Sequence, residues 1–440
     1  MRYRHALATA VFLAIAPMLR AQQLPAAPGS PIDSAIARRI FDEAREISDR
    51  DAGALWGVRL AGPIMVVDPV RRSIIANQAD SAGILAPSGS MWTGMLPPEV
   101  PVANYAGRWS GTLWTIVMWP LPPDPERRDL LLAHEMWHRI QRQLGLPATM
   151  ATNAHLDEMD GRLWLRLEGR ALRTALLASG AERREAMSDA VRFRHWRQRL
   201  FPGSDSGERV LELNEGMANY TGVRLAGGSD QDQDRRAADI LLRLDTLQTL
   251  GRGFAYTTGP AYGRFLDEVS PGWPRQVRSN SDLAVQLASA IHLDLDALDS
   301  AGVMNAAAKY GYREIAEQET RIAAARNARL VGFRKRYVEG PVLQLPMSNL
   351  QIEMGPSAQE SLDTLGVIYP AAKISSDWGI LRVTGGTLLR WNVGKIIVVA
   401  PADPTARPVT GDGWTLELKE GWTISAGERQ GDWVVRARAQ

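Results

Sequence analysis

Residues His134-Glu135-Met136-Trp137-His138 carry the strongest chemical signal in the sequence. On a helix, two histidines four residues apart project from one face, so both imidazoles can bind one metal ion. The glutamate between them lies beside that face, where it can take a proton from a water that a metal has acidified. Buried histidine and glutamate side chains need partners, and one Zn²⁺ supplies them. Catalytic zinc takes three protein ligands and leaves a position for water, so the pattern lacks one ligand. The longer pattern H-E-x-x-H-x-x-G-x-x-H fails, because Gln141 and Leu144 stand where its glycine and third histidine belong. The third ligand is therefore expected to be a carboxylate from another helix.

Two carboxylates qualify. Glu215 lies in Leu213-Asn214-Glu215-Gly216-Met217-Ala218-Asn219-Tyr220, and Glu168 in Leu165-Arg166-Leu167-Glu168-Gly169-Arg170-Ala171-Leu172. Glu215 is favoured because Asn219, one turn later, can accept the N–H of a ligand histidine and orient it. Leu172 holds the corresponding place after Glu168 and offers no such group. Glu168 has two other readings, an ion pair with Arg166 or Arg170 and a place behind the ligands.

His134-Glu135-x-x-His138 followed by Asn214-Glu215-Gly216-x-Ala218 resembles the gluzincin metallopeptidases, especially the aminopeptidase N type. The resemblance implies a zincin-like domain, with His134, His138 and Glu215 as zinc ligands and Glu135 as general base. Ala255-Tyr256-Thr257-Thr258-Gly259 resembles the later Y-x-x-G segment of that family, which implies that Tyr256 stabilises the oxyanion. A buried core tyrosine is the competing reading of Tyr256; Tyr220 and Tyr262 are lesser candidates. Residues 151–206 separate the two zinc motifs by more than the family usually does. No G-x-M-E-N motif precedes His134, which leaves endopeptidase as well as aminopeptidase activity open. The expected activity is zinc-dependent hydrolysis of peptide bonds in a peptide or protein substrate. Two rival readings are a zinc hydrolase of non-peptide amides, as in the cell wall, and a catalytically inactive binding protein on a zincin scaffold.

The elements that must position these residues can be read from periodicity and breakers. Residues 124–145 predict the metal helix: Asp124 caps it, Pro125 and Glu126 suit its first turn, and Gly145 stops it. An amphipathic helix is predicted over residues 33–49, and strands over 64–67, 73–75 and 112–119. The last of these leads toward the metal helix, and its edge is a candidate for pairing with an extended substrate; an internal strand is the alternative. Helical spacing follows over 160–178, 181–200, 207–222, 231–250, 261–269, 281–290 and 305–337. Residues 340–440 shift to short alternating runs with glycine turns and hold five of the chain's 14 tryptophans. These tryptophans fill a small β core or bind something flat such as a sugar.

The predicted class is α+β: an N-terminal part over 32–145, a helical part over 146–339 and a C-terminal β domain over 340–440. Residues 1–21 read as a signal peptide and 22–31 as a linker, which implies a periplasmic or secreted bacterial protein. No later segment is apolar enough to span a membrane. With 51 basic and 49 acidic residues the net charge is +2, and no long basic run points to nucleic acid. The chain has no cysteine, which removes disulfides and thiolate metal ligands. His155 is close enough in sequence to line the site, though it suits a helix start. The arginines at 183, 184, 192, 194, 197 and 199 form a basic helical face, solvated or internally paired. The run from Asp230 to Asp234 lacks the glycine and closing glutamate of a calcium loop.

Overall fold

The computed structural model describes residues 31–97, 100–146, 148–149, 151, 153–247, 249–354 and 359–438. The expected signal peptide and nearly all of the expected linker lie outside the described residues. The described part is mixed α and β, and none of its helices is long and apolar enough to cross a membrane.

Helix α1 (Ser34–Asp51) starts at Asp33, whose carboxylate accepts the N–H groups of Ala35 and Ile36. It buries Ala37, Ile40, Phe41, Ala44 and Ile47 along one stripe, as its period requires. Strands β1 (Ile64–Val67), β2 (Ser73–Ala76), β3 (Ala86–Ser88), β4 (Met91–Met95), β5 (Tyr105–Trp109) and β6 (Thr112–Met118) form one sheet in the order β3-β4-β2-β1-β6-β5. β1 and β6 pair in parallel, and the other pairs are antiparallel. β1 is apolar throughout because both its faces are covered. Ile64 and Val66 enter the main helical core, while Met65 and Val67 pack on the other face with Trp109 and Trp114.

The expected substrate-pairing edge at 112–119 is not there. β6 lies between β1 and β5, so its hydrogen-bonding edges are taken up inside the sheet, and β5 is the edge strand. β5 reads Tyr-Ala-Gly-Arg-Trp, with a glycine at its centre and no clear alternation, so the sequence carries little strand signal there.

Helix α2 (Pro125–Ile140) holds the metal motif, and the Asp124 carboxylate caps it by accepting the Arg127 N–H. The helix ends five residues before Gly145, and the chain then turns to Gly145 at φ 73. Beyond it come α3 (Met159–Leu177), α4 (Gly180–Leu200) and α5 (Ser204–Leu211). The expected single helix over 207–222 is broken by a π-turn at Glu212–Gly216, after which α6 (Met217–Leu225) resumes. Next are α7 (Asp230–Leu241), α8 (Ala255–Val269), α9 (Leu283–Ala290), α10 (Ser300–Lys309) and α11 (Tyr312–Arg334). α8 starts at Ala255, so Tyr256 lies in its first turn rather than ahead of the helix. The expected helix over 305–337 is two helices, separated at Gly311, which has φ 79.

The chain divides into two compact units between Glu317 and Gln318, inside α11 and not at residue 340. The reason is packing: Leu330, Phe333 and Tyr337 join Val342, Leu362, Ile368, Leu388 and Ile397 in one cluster. Among the described residues this second unit has sheets of seven and five strands. Trp378 and Trp414 are buried in its core and donate their N–H groups to the carbonyls of Pro346 and Val399. Trp422 and Trp433 pack partly buried against that core. Trp391 is the large aromatic left open, at 54% exposure, so these tryptophans serve mainly as core.

The π-turn crosses the start of α8 at a point with no room for side chains. A Cβ on Gly259 would lie 2.4 Å from the Gly216 Cα and 2.7 Å from its carbonyl carbon. Backbone at this distance cannot yield as a flexible side chain would. Gly259→Ala is therefore expected to destabilise the first unit by about 1–3 kcal/mol in denaturant unfolding. A variant as stable as the wild type would show that the two backbones do not meet this closely.

Candidate metal centre

His134 and His138 sit in the second half of α2, one turn apart with His138 in its last turn, and the π-turn brings Glu215 to them. The two imidazole Nε2 atoms are 3.2 Å apart. Glu215 Oε2 is 3.6 Å from the His134 Nε2 and 3.4 Å from the His138 Nε2. The three donor atoms all lie within 4.8 Å of one another, and the group is buried but for the partly covered His138. Tetrahedral ligands about 2.0–2.2 Å from an ion stand about 3.3–3.6 Å from each other, so this triangle has the dimensions of a metal site. The donor set of two imidazoles and a carboxylate fits a divalent cation.

A second sign is polar atoms left without partners. Both carboxylate oxygens of Glu135 and Oε2 of Glu215 are buried and make no hydrogen bond. Such groups are costly unless something else satisfies them. Glu135 is 0% exposed, and burial raises its pKa, with the nearby charge of Glu215 adding to the effect and the two histidines opposing it. Burial acts against a charged His138, but the Glu215 carboxylate beside it outweighs this and raises that imidazole to about 9. Burial likewise works against the Glu215 carboxylate, and the two histidines overcome it and hold the group well below the usual range. The buried Glu215 carboxylate and the two imidazoles thus converge where a divalent cation would offset the carboxylate's burial.

Tyr256 completes the wall of the site. Its ring stacks parallel to His134, at 5.9 Å between centroids and 7° between planes. Burial, and then the charge and hydrogen bond of Glu215, push its hydroxyl well above the ordinary phenol value. The hydroxyl therefore stays protonated, as a donor. Asn219 does not orient a ligand histidine. Its Nδ2 donates to the Tyr256 carbonyl at 2.6 Å, so it fixes the first turn of α8 instead.

Two residues that the sequence did not single out for the site stand behind the ligands. Gln141 Oε1 is 3.0 Å from His138 Nδ1, and Gln141 Nε2 donates to Asn214 Oδ1 at 2.9 Å. Asn214 Nδ2 in turn reaches Glu215 Oε1 at 3.4 Å. Gln141 lies three residues after His138 on the same helical path, and that spacing was the available signal.

Glu168 is not a ligand. Its Oε1 accepts from Arg194 Nε at 2.7 Å and from the Tyr262 hydroxyl at 2.9 Å, and its Oε2 accepts from Arg197 at 2.5 Å. Its expected local partners lie elsewhere: Arg166 binds Asp245, and Arg170 binds the Tyr310 carbonyl and Glu314. Arg194 and Arg197, expected on a basic helical face, are buried and ion-paired from α4 into the core. Arg194 also holds Glu212 with two hydrogen bonds, of 2.7 and 2.8 Å, and the Thr258 hydroxyl donates to the same Glu212 at 2.7 Å. His155 pairs with Glu208 at 2.7 Å, away from the three ligands. Tyr220 donates to Asp267, and Tyr262 belongs to the Glu168 network, so neither is in the site.

No protein-family model matches the chain, and neither does any curated protein sequence or solved structure. The geometry above therefore carries the functional argument by itself.

Two outcomes test the division between the metal site and the ion network behind it. Glu168→Gln removes the carboxylate that Arg194 and Arg197 share, and is expected to cost about 3–5 kcal/mol in denaturant unfolding. The metal bound per folded chain should not change; metal loss at unchanged stability would restore Glu168 as a ligand. Glu208 gives the pH dependence. Burial raises it, but Arg197 and His155 prevail and hold it well below the usual range. Its contribution is therefore complete above the unfolded value of about 4.3 and fades as the pH falls below it. Denaturant midpoints should fall on acidification below about pH 4, and less steeply in Glu208→Gln.

Proposed function

We propose that this chain is a gluzincin-like metallopeptidase that hydrolyses peptide bonds with Zn²⁺ held by His134, His138 and Glu215. The observation that carries the reading is the buried His134–His138–Glu215 triangle with the unpartnered carboxylate of Glu135 beside it. A structural ion would need no such extra carboxylate, whereas hydrolysis needs a base at that place. An inactive binding protein has no use for it either, and the buried tryptophans of the β unit offer little support for a binding role there.

Zn²⁺ in this site would polarise the scissile carbonyl and acidify the attacking water. Glu135 takes a proton from that water as it attacks and passes it to the departing amine. Its raised pKa suits both transfers, because burial makes the carboxylate a stronger base than a free glutamate. The Tyr256 hydroxyl, held protonated, donates to the oxygen that gains charge in the transition state. The His134 ring stacked on Tyr256 and the Asn219 bond to its carbonyl hold that hydroxyl in place. Peptide or protein is the proposed substrate class, and export to the periplasm or the medium through residues 1–21 belongs to the same proposal.

Glu135→Gln should retain metal and lose turnover by at least about 10²-fold, since it keeps the shape and removes the base. Glu215→Ala should lose the metal. Metal content by atomic emission and cleavage of a denatured protein mixture check both. A fully active Glu135→Gln would contradict the proposed mechanism, and Glu215→Ala with full metal content would contradict the ligand set.

A further inference from the structure

The relay through Gln141 and Asn214 has a direction. His138 Nδ1 faces the Gln141 carbonyl oxygen at 3.0 Å. The amide end of Gln141 donates to the Asn214 oxygen at 2.9 Å, and the amide end of Asn214 points to Glu215 Oε1 at 3.4 Å. Each amide thus accepts at one end and donates at the other, from one ligand of the triangle to another. Gln141 is 1% exposed and Asn214 3%, so water does not readily substitute for either.

Reversing the order changes the chemistry. If Gln141 turned its NH₂ toward His138, Nδ1 would have to accept, and a neutral imidazole would carry its proton on Nε2. That nitrogen is the one aimed at His134 and Glu215. It would then have no lone pair for a cation. The reversed order would also set the Gln141 oxygen against Asn214, which would have to donate its NH₂ there and turn its own oxygen to Glu215, placing two acceptors together. The Glu215 carboxylate and the Thr149 carbonyl, which Asn214 Nδ2 also faces at 3.5 Å, only accept, and together they set the direction of the whole chain.

We propose that Gln141 is a positioning residue which, through Asn214, locks His138 in the Nδ1–H form and ties its orientation to that of Glu215. This rests on the reading of the triangle as a metal site. The sequence had marked Gln141 only as the residue occupying the glycine place of a longer histidine motif. The structure gives that departure a purpose: a side chain long enough to bridge from His138 to Asn214.

The test uses the full chain, with Zn²⁺ affinity measured by competition against a chromophoric chelator and the site read with Co²⁺. In the wild type, Co²⁺ should produce a paramagnetically shifted, slowly exchanging imidazole N–H resonance from His138 Nδ1. Gln141→Met keeps the length and loses both polar ends. It should weaken Zn²⁺ binding about 10- to 100-fold and abolish or broaden that resonance. Gln141→Glu keeps an acceptor toward Nδ1 and should bring the resonance back, but it sets a second acceptor against the Asn214 oxygen, so affinity should stay below wild type. Asn214→Asp keeps the volume but turns an acceptor on Glu215, and should weaken Zn²⁺ binding at least about 10-fold; it keeps the proposal testable if Gln141→Met does not fold. Wild-type affinity and an unchanged resonance in Gln141→Met would overturn the proposal and leave the metal site standing. A wild type that binds neither ion would overturn both.

Discussion

Taking a carboxylate out of water costs several kcal/mol unless hydrogen bonds or opposite charge compensate it. The core around α2 buries Glu135 with no partner and Glu215 with one oxygen unpartnered. The rest of the first unit is arranged around that cost. A rigid helix fixes the two histidines, a sheet and α1 cover its apolar side, and the helices beyond close over Glu215. The protein bears the penalty at a place where a divalent cation would offset it.

Position depends on the π-turn. Glu215 is on its five-residue span, and the turn is anchored at its first residue, where Arg194 and Thr258 hold Glu212. Gly216 and Gly259 then let the turn and α8 approach to backbone contact. This brings Tyr256, three residues before Gly259, close enough to stack on His134 and approach Glu215. π-Turns cost hydrogen-bond geometry and concentrate at functional sites, which agrees with this one carrying a candidate ligand. The buried arginines of α4 connect this turn to Glu168 and Glu208, so the ion network supports the site without entering it.

The metal-binding pattern was legible because it is local. His134, Glu135 and His138 need only the helical period, and Asp124 and Pro125 mark where that helix starts. Glu215 was legible through a short motif and the need for a third ligand. What failed depends on tertiary partners. Asn219 stands at the right helical offset from Glu215, but the neighbour it meets is the Tyr256 carbonyl. Glu168 was assigned local arginines, and it took Arg194 and Arg197 from the next helix. β5 hid its strand behind a central glycine, which turned β6 from an expected edge into an interior strand. A π-turn has no compositional signature, so the 207–222 helix read as unbroken. The break into two units falls inside α11, and only the packing of Phe333 near its end and of Tyr337 just beyond it marks the change.

The central claim is that His134, His138 and Glu215 together hold one metal ion. X-ray absorption at the zinc edge of the loaded full chain measures this most directly. One zinc per chain is expected, with about four nitrogen and oxygen neighbours at about 2.0–2.1 Å and the outer-shell scattering of two imidazoles. Histidine scattering should fall by half in His138→Ala. A zinc shell of oxygens alone, or one unaltered by that substitution, would place the ion elsewhere and contradict the account.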